Sequence, residues 1–468
     1  QSRSSAASDV YKRQAMHCNG NGACYNFDPD DAMCPSWKAT RQRVHSPKGR
    51  ASLMREWLRL QGGQGVDVLK VAQQKRRPWS GLTGRARQSG QAGRDGDDFS
   101  HQVYDAMSGC LACKSCAGQC PIKVDVPEFR SRFLELYHTR YRRPLRDYVM
   151  ASLEFVMPAA AKFPAVFNGL MKQSWVRQAM ASGLGIVDSP LLSRLDIAAA
   201  LEAHGVRHAS VPELEALDPA ERARSVILVP DSFTYLFETE QMVPLIELAT
   251  RLGYRVWMAP LKPNGKPLHV QGFLKTFNRV ARRNSEHLSG LARTGIALVG
   301  LDPAMTLVYR QEYLKVPGLT QVPEVLLPQE WLARVWPRAG KTETAPQTVT
   351  YRLLPHCTER TNAPASVGQW QEVFAKAGLS LQVEASGCCG MSGTYGHEAR
   401  NYETSRVIFE QSWKNALDAS GVSADAEPLA TGYSCRSQVK RFGAREIRHP
   451  LQAVSYTHLR AHETRHDL

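Results

Sequence analysis

Four cysteines fall close together in GCLACKSCAGQCP, Gly109 to Pro121: Cys110, Cys113, Cys116 and Cys120, with a proline directly after the last. The spacing C-x2-C-x2-C-x3-C-P suits an iron–sulfur cluster. Its short gaps let one wrapping loop aim three thiolates at three irons of a cubane, while the fourth points away toward another cluster. Zinc is the competing metal. Structural zinc sites usually draw on two separated C-x2-C pairs that close a tetrahedron, and four thiols in a single run fit that geometry poorly.

A donor for the fourth thiolate needs a second motif, and one lies upstream in CNGNGACYNFDPDDAMCP, Cys18 to Pro35. Aligning Cys34-Pro35 with Cys120-Pro121 makes it a degenerate copy. Cys18 and Cys24 keep the separation of Cys110 and Cys116, Asn21 stands where Cys113 stands in the intact motif, and the last gap is longer. Crossed ligation then assigns Cys110, Cys113, Cys116 and Cys34 to one complete [4Fe-4S] cluster. Cys18, Cys24 and Cys120 are left for a second cluster that is one thiolate short. That site suits a [3Fe-4S] cluster, or a [4Fe-4S] cluster with a fourth ligand other than cysteine, for which His17 and Asp28 are the nearby candidates. The alternative is that Cys18 and Cys24 are structural thiols and only one cluster exists.

Four further cysteines lie in the C-terminal part, where the chain repeats itself. The apolar strand TVTYRLLPHC ends at Cys357, LSLQVEASGCCG carries Cys388 and Cys389, and PLATGYSC ends at Cys435. An earlier copy aligns Ser232 with Cys357, Gly253 with Gly378, Pro263 and Asn264 with Cys388 and Cys389, Gly265 with Gly390, and Pro303 with Cys435. Every thiol is missing from that first copy, which is expected to keep the fold and bind no cluster. Alternating strands and helices imply parallel sheets with crossover connections. Cysteines placed just after strands then gather at the carboxyl edge of one sheet, where open α/β sheets bind ligands. Four thiols from three loops suffice for one cubane, with zinc as the alternative there.

These sites need elements to hold them. Ser46-Pro47 followed by Leu53, Trp57, Leu58 and Leu60 reads as a capped helix, with Lys48 and Arg50 available to offset thiolate charge. Gln73–Asp98 reads as a polar linker with Gly and Pro punctuation. Pro127 opens a helix with Phe129, Phe133, Leu136 and Tyr137 on one face. Val149–Val187 is apolar and helical, interrupted at Pro158 and Pro164, and reads as packing surface rather than a membrane contact.

The totals agree with a multidomain protein of 468 residues, 43% of them hydrophobic. Its 11 cysteines are odd in number and tightly grouped, which favours metal ligation over disulfides. No uncharged apolar run is long enough for a membrane-spanning helix, and no signal peptide opens the chain. The net charge of +15 is spread over several helices with no nucleic-acid motif around it, so no nucleic-acid partner is expected. The ends, QSRSSAASDVYKRQ and SYTHLRAHETRHDL, lack apolar period and read as translated adapter sequence.

A two-motif ferredoxin module followed by paired cysteine-rich CCG domains resembles the iron–sulfur subunits of glycolate oxidase, anaerobic glycerol-3-phosphate dehydrogenase and heterodisulfide reductase. CNGNGAC, MCPSWKATRQRVHSPKGRA, GCCGMSGTYGHE and TGYSCRSQVKRF are most similar to the large bacterial FAD-linked oxidases of the D-2-hydroxyglutarate dehydrogenase type, from about Ala15 to Val454. The resemblance implies an α/β fold with a helical N-terminal part. Its units are a terminal tail at 1–14, a ferredoxin-like two-cluster helical domain at 15–148 and a helical connector at 149–224. A degenerate CCG-type repeat at 225–330, a Rossmann-like CCG-type repeat with its cysteines at 345–454 and a tail at 455–468 complete the layout. It further implies an iron–sulfur electron-transfer portion that takes electrons from FAD, bound by an N-terminal half outside this chain, and hands them to an acceptor protein or quinone. The location implied is the cytoplasm, with the cytoplasmic membrane face as a peripheral option. No catalytic residue is expected here, and no Gly-rich dinucleotide fingerprint is found. The chain departs from the related pattern at Asn21 and Gly432, where cysteines would stand, so the CCG site is expected to be an ordinary four-thiolate one. Competing classes are a heterodisulfide-reductase-like thiol enzyme working at Cys388 and a zinc-binding interaction protein.

Overall fold

The computed structural model describes residues 20, 22–73, 98–336, 350–418 and 426–456. Helices come first. Ser46 caps the helix Pro47–Gly63 by accepting from the Gly49 amide at 3.0 Å, which satisfies one of the orphan N–H groups of the first turn. Its buried face is Ala51, Met54, Trp57 and Gln61. Trp57 is therefore in the core as expected, while Leu53, Leu58 and Leu60 are only half-buried. Asp125 caps the helix Val126–Tyr137, accepting from Glu128, and buries Phe129, Phe133, Leu136 and Tyr137. These rings and Trp57 share one core with Met33, Val103 and Met107. The polar linker falls almost wholly outside the described residues.

The helix Leu145–Ala160 runs through Pro158, two residues before its end. Pro164 opens the next helix, Pro164–Lys172, where its missing N–H costs nothing.

Two parallel sheets follow. The first contains β1 (Arg207–His208), β2 (Ser225–Val229), β3 (Arg255–Met258), β4 (Ala297–Gly300) and β5 (Val325–Leu326), in the order β1-β3-β2-β4-β5. The second contains β6 (Thr350–Leu354), β7 (Ser380–Val383) and β8 (Glu427–Ala430), in the order β7-β6-β8. Every pairing between these strands is parallel. β2 is buried at every residue and reads as a continuous apolar run, as a strand covered on both faces must.

The chain is thus an α/β protein with parallel sheets and a helical N-terminal part. The order β3-β2-β4 recurs as β7-β6-β8. Gly253 and Gly378 both have positive φ, 79° and 75°, and so do Gly265 and Gly390 at 84° and 90°. Left-handed backbone favours glycine at just those aligned positions. One apolar core spans both sheets, joining Val226, Leu228 and Trp331 to Leu353, Phe374 and Leu429. Ser455, at the start of the expected terminal tail, is buried and donates to Glu247 at 2.9 Å.

Candidate metal centre

The loop after the helix Ser100–Ser108 winds through two non-glycine residues in left-handed backbone, Ala112 (φ 57°) and Lys114 (φ 59°). Such conformers cost roughly 1 kcal/mol or more each and persist only where the surroundings enforce them. The winding brings Cys110, Cys113 and Cys116 to one small cavity, and Cys34 enters it from the far end of the upstream motif. Cys34 is itself left-handed, at φ 40°. Its thiol donates to the His45 carbonyl at 3.2 Å, and the Arg50 guanidinium lies 3.7 Å from the sulfur. Arg50 is almost fully buried, donating to the Ala106 carbonyl and to Ser36.

Burial governs the Cys34, Cys113 and Cys116 thiols. It pushes Cys116 well up, and together with the nearby Cys357 it pushes Cys113 up to about 12. Burial also raises Cys34, against the pull of Arg50. Thiols in this state release their protons only to a positive partner, which bound metal supplies. Soft sulfur donors, a small cavity and a buried guanidinium fit an anionic thiolate-ligated cluster.

A second cavity is lined by Cys24 and Cys120, with Gly20, Gly22 and Lys48 around them. The fourth cysteine of the intact motif therefore faces away from the first three and toward the upstream motif. Cys18, Asn21 and His17 lie outside the described residues. Asp28 is exposed, accepts from the Asp30 amide at 2.9 Å and does not line this cavity.

The third group forms at the carboxyl edge of β6, β7 and β8. Cys357, Cys388, Cys389 and Cys435 are all buried. The Gly390 amide donates to the Cys388 sulfur at 3.4 Å. The neighbouring thiols hold Cys357 and Cys389 down and Cys388 up, while burial raises Cys435. Gly432, where the related pattern has a further cysteine, has no room for a side chain: a Cβ there would stand 2.3 Å from His356 Cδ2. The His356 ring, whose Nδ1 accepts from the Thr358 amide at 3.2 Å, occupies that space. Among the described residues, no group of three or more His, Cys, Asp and Glu side chains is arranged to hold a single metal ion.

The first and third groups adjoin. Thr358 donates to the Cys113 carbonyl at 3.0 Å, and Ser392 donates to the Leu111 carbonyl at 2.7 Å. Sequence reasoning missed His356, for which the adjacent His-Cys pair was the available signal. It also missed Lys114, between Cys113 and Cys116. Lys114 is buried, with its Nζ 3.3 Å from Glu312 and 3.9 Å from Asp125. Glu312 is also bound by Lys266, and Asp125 by Lys315. No sequence signal links Lys114 to Glu312, because the pair forms only when the cysteine loop packs on the first sheet's unit.

The fold is a parallel α/β one that carries three groups of clustered cysteines. The chain is 62% identical over 441 residues to the D-2-hydroxyglutarate dehydrogenase of Pseudomonas putida and 45% identical over 448 residues to that of Escherichia coli. Each match covers 94% of this chain and 43% of the relative. It is also 25% identical over 381 residues to one subunit of the anaerobic glycerol-3-phosphate dehydrogenase of Escherichia coli, a match over 78% of this chain and 91% of that subunit. No family model matches the chain, and no solved structure does. The chain is similar to the D-2-hydroxyglutarate dehydrogenases, the family its motifs resemble, and spans less than half the length of those relatives.

Proposed function

We propose that this chain is the iron–sulfur electron-transfer portion of a flavin-dependent D-2-hydroxy acid dehydrogenase, with D-2-hydroxyglutarate as the substrate of the whole protein. The carrying observation is the adjacency of the three thiol groups: Cys24 and Cys120, then Cys34, Cys110, Cys113 and Cys116, then Cys357, Cys388, Cys389 and Cys435. Cys110, Cys113, Cys116 and Cys34 would hold one [4Fe-4S] cluster, and Cys24 and Cys120, joined by Cys18, an incomplete second. Cys357, Cys388, Cys389 and Cys435 would hold the third. When bound, such clusters accept and release single electrons, splitting the two-electron output of a flavin.

The chain's own residues do the rest. Burial keeps water from Cys34, Cys116 and the Cys357 group, and Arg50 and Lys114 supply buried positive charge beside the Cys110 loop. Thr358 ties the Cys113 backbone to the helix that begins at Cys357. The match to a separate subunit of anaerobic glycerol-3-phosphate dehydrogenase supports a unit that serves a dehydrogenase whose oxidising site is elsewhere. FAD and the oxidising site would lie in the portion of the relatives that this chain does not span. The onward acceptor is a carrier protein or quinone.

Anaerobic purification with quantitation of iron, acid-labile sulfide and zinc tests the reading. The expected result is about eight to twelve irons per chain with matching sulfide. Zinc without sulfide would replace it with a zinc-binding protein.

A further inference from the structure

Most large hydrophobic side chains that reach solvent among the described residues fall between Leu145 and Leu195. Two helices there carry apolar side chains on their exposed faces. The helix Leu145–Ala160 buries Asp147 and Glu154 along with Met150, Ala151 and Met157, while Phe155 and Val156 face water. Glu154 is engaged inward, accepting from the Asn264 and Gly265 amides. The helix Pro164–Lys172 buries Asn168, which is bonded in both directions to Leu192 at 2.8 Å. Phe163, Val166 and Leu170 follow at spacings of three and four, which places them on one stripe opposite Asn168. Phe163 is 68% exposed, Val166 62% and, in the next helix, Trp175 66%. Core packing demands none of this, and exposed apolar patches of this kind mark interaction surfaces.

The charges choose the occupant. Asp147 and Glu154 are the only acids from Leu145 to Val187, and both are buried. The exposed charges of the same stretch, Lys162, Lys172 and Arg177, are all positive. Asp188, just beyond, is held by Arg441 at 2.8 Å. An apolar, aromatic stripe with cations alone beside it is the composition of a helix that lies in a lipid interface. The lysine and arginine heads then reach anionic headgroups while their stems stay apolar. Among the described residues no helix is long and apolar enough to cross a membrane, so the contact would be superficial.

Against the reading of Val149–Val187 as packing surface, we propose that the helices from Leu145 to Ala179 dock this chain on a membrane surface carrying anionic lipid, through the exposed Phe163, Val166, Leu170 and Trp175, with Lys162, Lys172 and Arg177 on the headgroups. The docking does not depend on the iron–sulfur reading.

Flotation of the 468-residue chain with vesicles of phosphatidylcholine containing about one-third phosphatidylglycerol tests it. Binding is expected, falling about tenfold or more in the double variant Phe163→Glu, Trp175→Glu, and falling again with Lys162→Glu, Lys172→Glu or in high salt. These side chains are exposed, so unchanged circular dichroism and thermal midpoint should accompany the loss. Absence of flotation, or flotation indifferent to both sets of substitutions, would overturn the proposal. So would a dimer in lipid-free buffer that the first double variant dissociates, which assigns the stripe to a second copy. The longer Pseudomonas putida relative supplies the remaining arm. If it fails to float where this chain floats, its additional portion covers the stripe, and the docking proposal fails.

Discussion

Cys113 carries more of the account than any other single residue, because its sulfur faces the Cys34 cavity and its backbone is tied to Thr358. Cys113→Ser should lose at least one cluster's worth of iron and unfold more readily, since metal ligation of this kind couples to folding. Substitutions at Ser232, Asn264 and Pro303, the aligned positions of the first sheet's unit, should leave the iron content unchanged; equal iron loss in both sets would refute the repeat reading. Gly432 tests the other end of the site. Its φ of −94° suits any residue, so only space forbids a side chain. Gly432→Ala should destabilise the protein by about 1–3 kcal/mol through overpacking against His356. Adding His356→Ala should recover part of that loss in denaturant titrations.

Between elements, the cysteine loop and the first sheet's unit are joined through Lys114 and Glu312. Burial works against a charged Glu312, but Lys114 and Lys266 outweigh it and hold its carboxyl down at about 2. A folded pKa below the unfolded one contributes stability that is complete above the ordinary 4.5 and is lost as pH falls from there toward 2. Glu312→Gln should cost about 3 kcal/mol at neutral pH, because Lys114 loses a buried partner. The variant should also lose stability less steeply than the parent between pH 4.5 and 2. An unchanged acid slope would remove Glu312 from this role. What the sequence made legible here was local. Ser46-Pro47, Pro127 and the strands that precede Cys357 and Cys435, ending at Leu354 and Ala430, are written in capping chemistry and short apolar runs. The buried face of the helix Pro47–Gly63 was read imperfectly, because apolar spacing alone does not tell which side meets a neighbour. Lys114 with Glu312, and His356 with Gly432, are contacts made only in the folded chain, and spacing along the sequence carries no trace of them.

At the scale of the whole molecule, the chain spans about 43% of its dehydrogenase relatives. With added FAD and a dye acceptor it should not oxidise D-2-hydroxyglutarate; turnover would mean that the oxidising site lies within these 468 residues. The central claim is that the thiol groups lie close enough for single electrons to pass between them. Electron paramagnetic resonance during stepwise anaerobic reduction tests this most directly. Because Thr358 ties the Cys113 backbone to the helix that begins at Cys357, the signals from these two groups should broaden or split as both become reduced. Cys389→Ser should remove the splitting and leave the signal of the Cys34, Cys110, Cys113 and Cys116 group. Signals that simply add, without interaction at full reduction, or no iron–sulfur signal at all, would contradict the account.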